Sequence, residues 1–497
     1  MTSPAPLRAG PNPQRSTADD RAYAMLIDGE WIGRGGAGEF QCVDPYTEER
    51  WGRIPQADAA DVGRAVCAAR RAFDRDGWPR TPPAQRAALL RRLAQLIERD
   101  ADALTYQQIR ENGKLWSEMR PGTDLIARAC YFFAGLAETA GGRTVPTQSF
   151  TTYTVREPIG VIAAVTPWNS PLLLLGWKLF PALAAGNTVV VKPSEVTPTS
   201  TLLLAGLVAE AGFPRGVVNV VTGHGDPTGT ALIHHPGIDK IAFTGSTAAG
   251  KAMARAAAER CVRVSLELGG KSPNILFADA DVSAAVDGVI AGIFAASGQT
   301  CVAGSRVLVE RRLYPVVADL LVKRARALRP GDPLEPSTQL GPVASPAQLA
   351  KILGYFEIAR DERLEVLTGG RRLDGRGFFV EPTVYGDVSN ACRVAREEIF
   401  GPVAALMPFE GEDEAVAIAN DTAFGLAAGV WTENVRRAHR MVARLRAGTV
   451  WVNNYRQITY GVPFGGFQQS GIGRELGPDA LAEYTEVKSV WIDPRAP

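Results

Sequence analysis

GVIAAVTPWNSPLLLLGWKLFPALAAGNTVVVKPSE, residues Gly160 to Glu195, carries the pattern that decides the fold. An apolar β-rich run, Gly160–Val165, leads into the turn residues Pro167, Asn169 and Pro171. A helical stretch, Leu172–Leu183, and a second β-rich run, Thr188–Val191, follow. Strand, helix and strand in succession require a crossover, which sets the two strands parallel in one sheet. The stretch Pro158–Trp177 has no formal charge and is long enough to span a bilayer. Three prolines and Asn169 within it argue instead for a buried strand, a turn and a helix.

Outward from this segment the alternation continues. Helical Thr199–Ala211 precedes the β-rich Val217–Val221, and a short strand is predicted at Lys240–Thr244. Gly245-Ser246-Thr247-Ala248-Ala249-Gly250 then opens a helix through Arg260. In Cys261–Leu268, Val262, Val264, Leu266 and Leu268 face one way and Arg263, Ser265 and Glu267 the other, a strand ending at Gly269-Gly270. The whole reads as a doubly wound, Rossmann-type dinucleotide-binding domain. Pro55–Thr139 has helical spacing, a second α/β region runs to about Gly466, and Val487–Ile492 reads as a terminal strand.

Composition narrows the function classes. A chain of 497 residues predicts two or three domains. With 54 basic against 53 acidic side chains, it carries no electrostatic footprint for nucleic acid or an anionic membrane. The six cysteines are scattered without a CxxC pair or metal-ligand spacing, the usage of a reduced, cytoplasmic protein. Met1–Asp20, rich in Pro, Ser, Thr and Arg, is expected to be a mobile tail and not a signal peptide. Only four histidines occur (His224, His234, His235 and His439) and no HExxH, so zinc hydrolysis and a metal site are not expected.

Four places could carry chemistry, each with a plainer reading. Gly245–Gly250, at a strand-to-helix junction, suits a phosphate or is simply a tight turn. Cys301, after Gly298-Gln299-Thr300, is a nucleophile if it can ionise, or a small buried hydrophobe. Glu267, at the carboxyl end of its strand, is a general base of raised pKa or half of a salt bridge. Asn169, beyond a parallel strand, can donate to an oxyanion or merely form a turn.

In order along the chain stand Pro167-Trp168-Asn169, Lys192-Pro193-Ser194-Glu195, Phe243-Thr244-Gly245-Ser246, Leu266-Glu267-Leu268-Gly269-Gly270-Lys271, Gly298-Gln299-Thr300-Cys301, Glu398-Ile399-Phe400-Gly401-Pro402 and Pro463-Phe464-Gly465-Gly466. This set resembles the aldehyde dehydrogenase superfamily, in its NAD(P)-dependent hydrolytic type, over nearly all of the chain after the first twenty residues. The resemblance implies that Cys301 attacks an aldehyde to give a thiohemiacetal, its oxyanion held by Asn169 and the Cys301 N–H. Hydride loss to NAD leaves a thioester, and Glu267 activates the water that hydrolyses it. Lys178 matches a proton-relay lysine, with a snorkelling surface lysine as the alternative.

For the cofactor, the resemblance assigns Thr166, Trp168, Lys192, Glu195, Gly225, Gly245, Ser246, Leu268, Glu398 and Phe400. Glu195 would accept from both ribose hydroxyls and repel a 2′-phosphate, a preference for NAD over NADP. It implies a cofactor domain of residues 21–139 and 157–266, a catalytic domain of 267–479, and a bridging sheet of 140–156 and 480–497 that joins a partner in a homodimer or homotetramer.

Around the aldehyde it places Leu125, Leu173, Trp177, Val302 and Ile458, almost all apolar, walls suited to an apolar or aromatic aldehyde. Arg456 is the one cation nearby in sequence, a ligand for a substrate carboxylate or a structural residue. Ala295-Ala296-Ser297, ahead of the nucleophile, departs from the bulkier residues and Asn of many relatives. Glu267 argues against the variant that passes its thioester to coenzyme A, which needs no base to activate water. With Cys301 it argues against a non-catalytic protein of this fold. A cofactor-independent cysteine esterase is the remaining alternative.

Overall fold

The computed structural model describes residues 20–495. The predicted tail lies outside them apart from Asp20. Val161–Val165 and Thr188–Lys192 form the heart of an eight-stranded sheet and are buried along their whole length. Runs of β-branched residues without polar alternation are what a parallel strand covered on both faces demands. The sheet order is Gly471–Ile472, Arg263–Glu267, Lys240–Thr244, Val161–Val165, Thr188–Lys192, Val218–Val220, Met25–Ile27, Glu30–Ile32. Its five central members, from Arg263–Glu267 to Val218–Val220, are parallel.

The crossover helix Pro171–Ala185 starts with proline in its first turn and stops at Gly186, whose φ of 95° suits glycine. Asn187 then locks helix to sheet. Its amide donates to Ala182 O and Tyr484 O at 3.1 and 2.9 Å and accepts from Gly160 N–H at 2.9 Å. The helical region upstream resolves into Ala59–Asp74, Pro83–Arg99, Ala101–Asn112 and Trp116–Thr139. Between the last two, Gly113 has φ 74°, and a Cβ there would lie 2.6 Å from Pro342 Cγ. This obligatory glycine turn sets the position of Lys114.

The second region is a seven-stranded sheet. Its order is Glu365–Thr368, Thr383–Gly386, Val403–Phe409, Arg306–Glu310, Pro273–Leu276, Ala427–Trp431, Thr449–Val452, parallel except for the first strand. A separate antiparallel pair joins Thr151–Pro158 to Thr485–Ile492.

Two details differ from the sequence reading. The bridging strand runs from Thr151 to Pro158, past residue 156, and Arg143 and Val145 bond back onto it at Thr154 and Thr152. Gly471–Ile472, expected with the catalytic region, pairs antiparallel with Arg263–Glu267 and so completes the first sheet. No helix among the described residues is long and apolar enough to cross a membrane.

Candidate active site

Register brings the pieces together. Val165 pairs with both Lys192 and Phe243, and Glu267 pairs with Thr244 and Gly471. The carboxyl ends of these strands therefore form one edge, the place where open parallel sheets bind ligands. Thr166 follows one strand and its buried Oγ1 has no hydrogen-bond partner. Lys192 ends the next strand. Its Nζ donates to Pro193 O at 2.9 Å, and burial lowers its pKa to about 8 against the pull of the Glu195 carboxylate. Ser246 caps the helix Thr247–Glu259 by accepting from Ala249 N–H at 3.3 Å, so that helix start faces the same edge. Gly225 begins the turn Gly225–Gly229, where Gly229 approaches the Lys192 stem. Leu268 is buried, its N–H donating to Ser470 O at 2.9 Å.

Opposite this edge lies Glu398-Ile399-Phe400. Glu398 accepts from Gly270 N–H at 3.0 Å, and burial raises its pKa while Lys351 and Lys271 draw it down. The Phe400 ring meets Trp168 edge-on at 5.3 Å, and Gln348 Nε2 donates to the carbonyls of Ile399 and Phe400 at 3.0 and 2.9 Å.

Cys301 stands on a tightly held loop. Ala296 and Ser297 have φ of 54° and 52°, left-handed values that cost side-chain-bearing residues energy. The strain is held by Glu118, which accepts from Ala296 N–H at 2.6 Å, and by Ser297 Oγ, which donates to Gly341 O at 2.6 Å. Gln299 is clamped by Ala344 N–H at 2.9 Å, and its carbonyl accepts from the Asn169 amide at 3.1 Å. Asn169 thus touches the Cys301 loop and keeps its second N–H. Asn112 Nδ2 donates to Trp168 O at 3.2 Å and steadies the turn.

Glu267 is 4 % exposed, and neither carboxyl oxygen has a hydrogen-bond partner. The alternation of its strand suggests partial desolvation, but the sheet is covered on both faces here and burial is nearly complete. That burial, and then the Glu475 carboxylate, raises the Glu267 pKa well above the ordinary range, while Lys178 and Arg474 pull it down. Lys178 is 0 % exposed, which removes the snorkelling alternative. Its ammonium donates to Thr244 Oγ1 at 2.5 Å and to Glu475. Burial also raises Glu475, which pairs with the Lys178 ammonium, while Glu267 feels that charge without a bond to it. Sequence reasoning missed Glu475; its only signal is a charge within an otherwise ordinary run after Gly473.

The Cys301 pKa is pushed up to about 12, by burial first and then by the charges of Glu267 and Glu398, with the Val302 N–H and Lys114 opposing. The resting sulfur is therefore a thiol and needs a base close by. Cys301 opens on a cavity of about 420 Å³ that Asn169, Leu125, Leu173, Trp177, Val302 and Ile458 also line. The same wall carries Lys114, Asp124, Arg128 and Arg456, so it is more charged than the sequence reading expected. Helical spacing on Trp116–Thr139 brings Pro121, Leu125 and Arg128 to one face, and Lys114 arrives through the Gly113 turn.

A half-buried thiol and a buried carboxyl thus stand beside the ligand-binding edge of a doubly wound sheet, an arrangement that suits a dinucleotide-dependent oxidoreductase. Residues 31–490 match the model of the aldehyde dehydrogenase family, and the chain belongs to that family. The rat cytosolic 1 aldehyde dehydrogenase is 44% identical, with 94% of each chain covered. The NAD+ complex of the Bacillus cereus aldehyde dehydrogenase superposes with a TM-score of 0.94 at 43% identity, covering 96% of this chain and 97% of that one. Betaine aldehyde dehydrogenase of Staphylococcus aureus, also complexed with NAD+, has TM-score 0.94 at 36% identity and 96% coverage of both chains.

Proposed function

We propose that this chain oxidises an aldehyde with an apolar or aromatic body to its carboxylic acid, using NAD and a covalent intermediate on Cys301. The observation that carries the reading is the pairing of Cys301 with the buried, unbonded Glu267, whose charge is felt at the sulfur. Glu267 takes the thiol proton as Sγ adds to the aldehyde carbon. The resulting alkoxide would take the free Asn169 N–H and the Cys301 backbone N–H, two residues that line one cavity. NAD, when bound, supplies the acceptor for the hydride that leaves this carbon. With that first proton passed on, Glu267 withdraws a proton from water as it attacks the thioester and returns it to the departing sulfur, so the acid is released and the thiol restored. Lys178 and Glu475 give the Glu267 proton a buried route onward.

The chain's residues fit such a cofactor. Thr166 offers an unpaired buried hydroxyl, Lys192 and Glu195 offer a donor and an acceptor for a ribose, and the Ser246 helix start suits a pyrophosphate. The Glu195 carboxylate disfavours a 2′-phosphate, which supports NAD over NADP. Gly225, Gly245, Leu268 and Trp168 would shape the cleft, with Glu398 and Phe400 at the second ribose. We place the enzyme in the cytoplasm, as the rat relative's name says of that protein, and we expect a homodimer or homotetramer built on the Thr485–Ile492 sheet.

The test is NADH absorbance with an aldehyde panel, with and without coenzyme A. Acid-forming turnover without coenzyme A is expected, and Cys301→Ala should abolish it while NAD still binds. Normal turnover by that variant would refute the mechanism.

A further inference from the structure

The cavity that opens on Cys301 has an unbalanced wall. Lys114, Arg128 and Arg456 line it together with a single carboxylate, Asp124. Asp124 already pairs with Arg120, which also holds Asp102 at 2.7 Å. Among the described residues no carboxylate lies within ion-pair distance of Lys114, Arg128 or Arg456. Glu118, near Lys114, is occupied by the N–H groups of Leu115 and Ala296 at 3.1 and 2.6 Å.

Lys114 is 7 % exposed, and its ammonium makes one hydrogen bond, to Ser170 Oγ at 2.8 Å. A lysine ammonium has three donors, so a buried one with a single acceptor is under-satisfied. Arg456 sits at φ 65°, a left-handed conformation that L residues rarely adopt, and spends one guanidinium N–H on Ala291 O at 3.0 Å. Its remaining donors form a planar fork of the kind that takes a carboxylate in bidentate fashion. The apolar walls, Leu125, Leu173, Trp177 and Ile458, lie on the same cavity.

We propose that the preferred substrates are aldehydes bearing a carboxylate at the end remote from the carbonyl, with Arg456 and Arg128 as specificity residues that bind this carboxylate. This rests on the dehydrogenase reading above and adds the charge of the substrate to it. The apolar walls hold the carbon body, the thiol meets the aldehyde, and the cations hold the acid group. An uncharged aldehyde fills the apolar part and leaves the cations without an anion.

The experiment compares kcat/KM for matched pairs on the full-length enzyme with NAD: hexanal against 6-oxohexanoate, and benzaldehyde against 4-carboxybenzaldehyde. One charge-assisted contact is worth about 10- to 100-fold, so the carboxylated member should lead by at least about tenfold. Arg456→Gln should collapse that ratio mainly through KM, and Arg128→Gln, an exposed helical position, should lower it without touching the strained loop. Added salt should shrink the ratio as well. Equal kcat/KM for neutral and carboxylated partners, or a ratio that both substitutions leave intact, would overturn the proposal while the dehydrogenase reading stands. Absence of NADH from every aldehyde would sink that reading and the proposal with it.

Discussion

Burial, and then the Glu267 charge, raise the cost of ionising Cys301, and this fixes the pH behaviour of the thiol. With its pKa near 12, the Cys301 thiol is almost wholly protonated at neutral pH. Its alkylation by iodoacetamide in the cofactor-free enzyme should therefore rise about tenfold per pH unit between roughly pH 7 and 9. A plateau in that range would contradict the assignment. Glu267→Gln keeps the shape and loses the base. Because Glu267 serves both steps, the first NADH turnover and the later deacylation should each slow, by about 10²- to 10⁴-fold. Stopped-flow absorbance separates the two phases. Gly269 offers a geometric test, since a Cβ there would lie 2.3 Å from Glu398 Oε2. Gly269→Ala should displace that carboxylate and cost up to about 100-fold in kcat/KM with NAD. At this scale the sequence is informative about residue types in ordered motifs. It is silent about Glu475 and Lys114, which reach the site from distant parts of the chain, so no local pattern marks them.

Among the elements, the helix Pro198–Ala211 is capped from outside itself. Glu111, at the end of Ala101–Asn112, accepts from the Thr199 N–H and hydroxyl at 2.5 and 2.6 Å and from Ser200 N–H at 3.2 Å. Burial raises its pKa to about 7 from the ordinary 4.5, with these donors opposing. The folded protein holds this proton more tightly than the unfolded chain. The associated stability is complete below about pH 4.5 and is lost as pH rises through 7, a swing on the order of 3 kcal/mol. Glu111→Gln should flatten that part of the pH profile in denaturant titrations. An unchanged slope would place the effect in Glu267 and Glu475 instead. The strands Val161–Val165 and Thr188–Lys192 were legible because burial on both faces demands unbroken apolar runs. The short strand Gly471–Ile472 was not, because two residues have no period and its pairing is decided by the strand it meets.

Over the whole molecule, the antiparallel pair Thr151–Pro158 and Thr485–Ile492 stands apart from both large sheets and exposes Val487, Trp491, Ile492 and Phe150. Phe150 and Trp491 meet edge-on at 6.0 Å, so the patch is contiguous. Such a patch beside an open strand edge favours association with another copy. Trp491→Glu should reduce the mass seen by light scattering towards that of a single chain, and an unchanged mass would place the interface elsewhere.

The first sheet is closed by a strand from near the carboxyl end, and this has a consequence for biosynthesis. Leu268 N–H bonds Ser470, Lys178 bonds Glu475, and Asn187 bonds Tyr484. At ordinary translation speeds, Glu475 is made on the order of ten to thirty seconds after Cys301. Throughout that interval the nascent chain bears Cys301 without the strand that covers Glu267. A chain released before that strand is made lacks the partners that Leu268, Lys178 and Asn187 take from it.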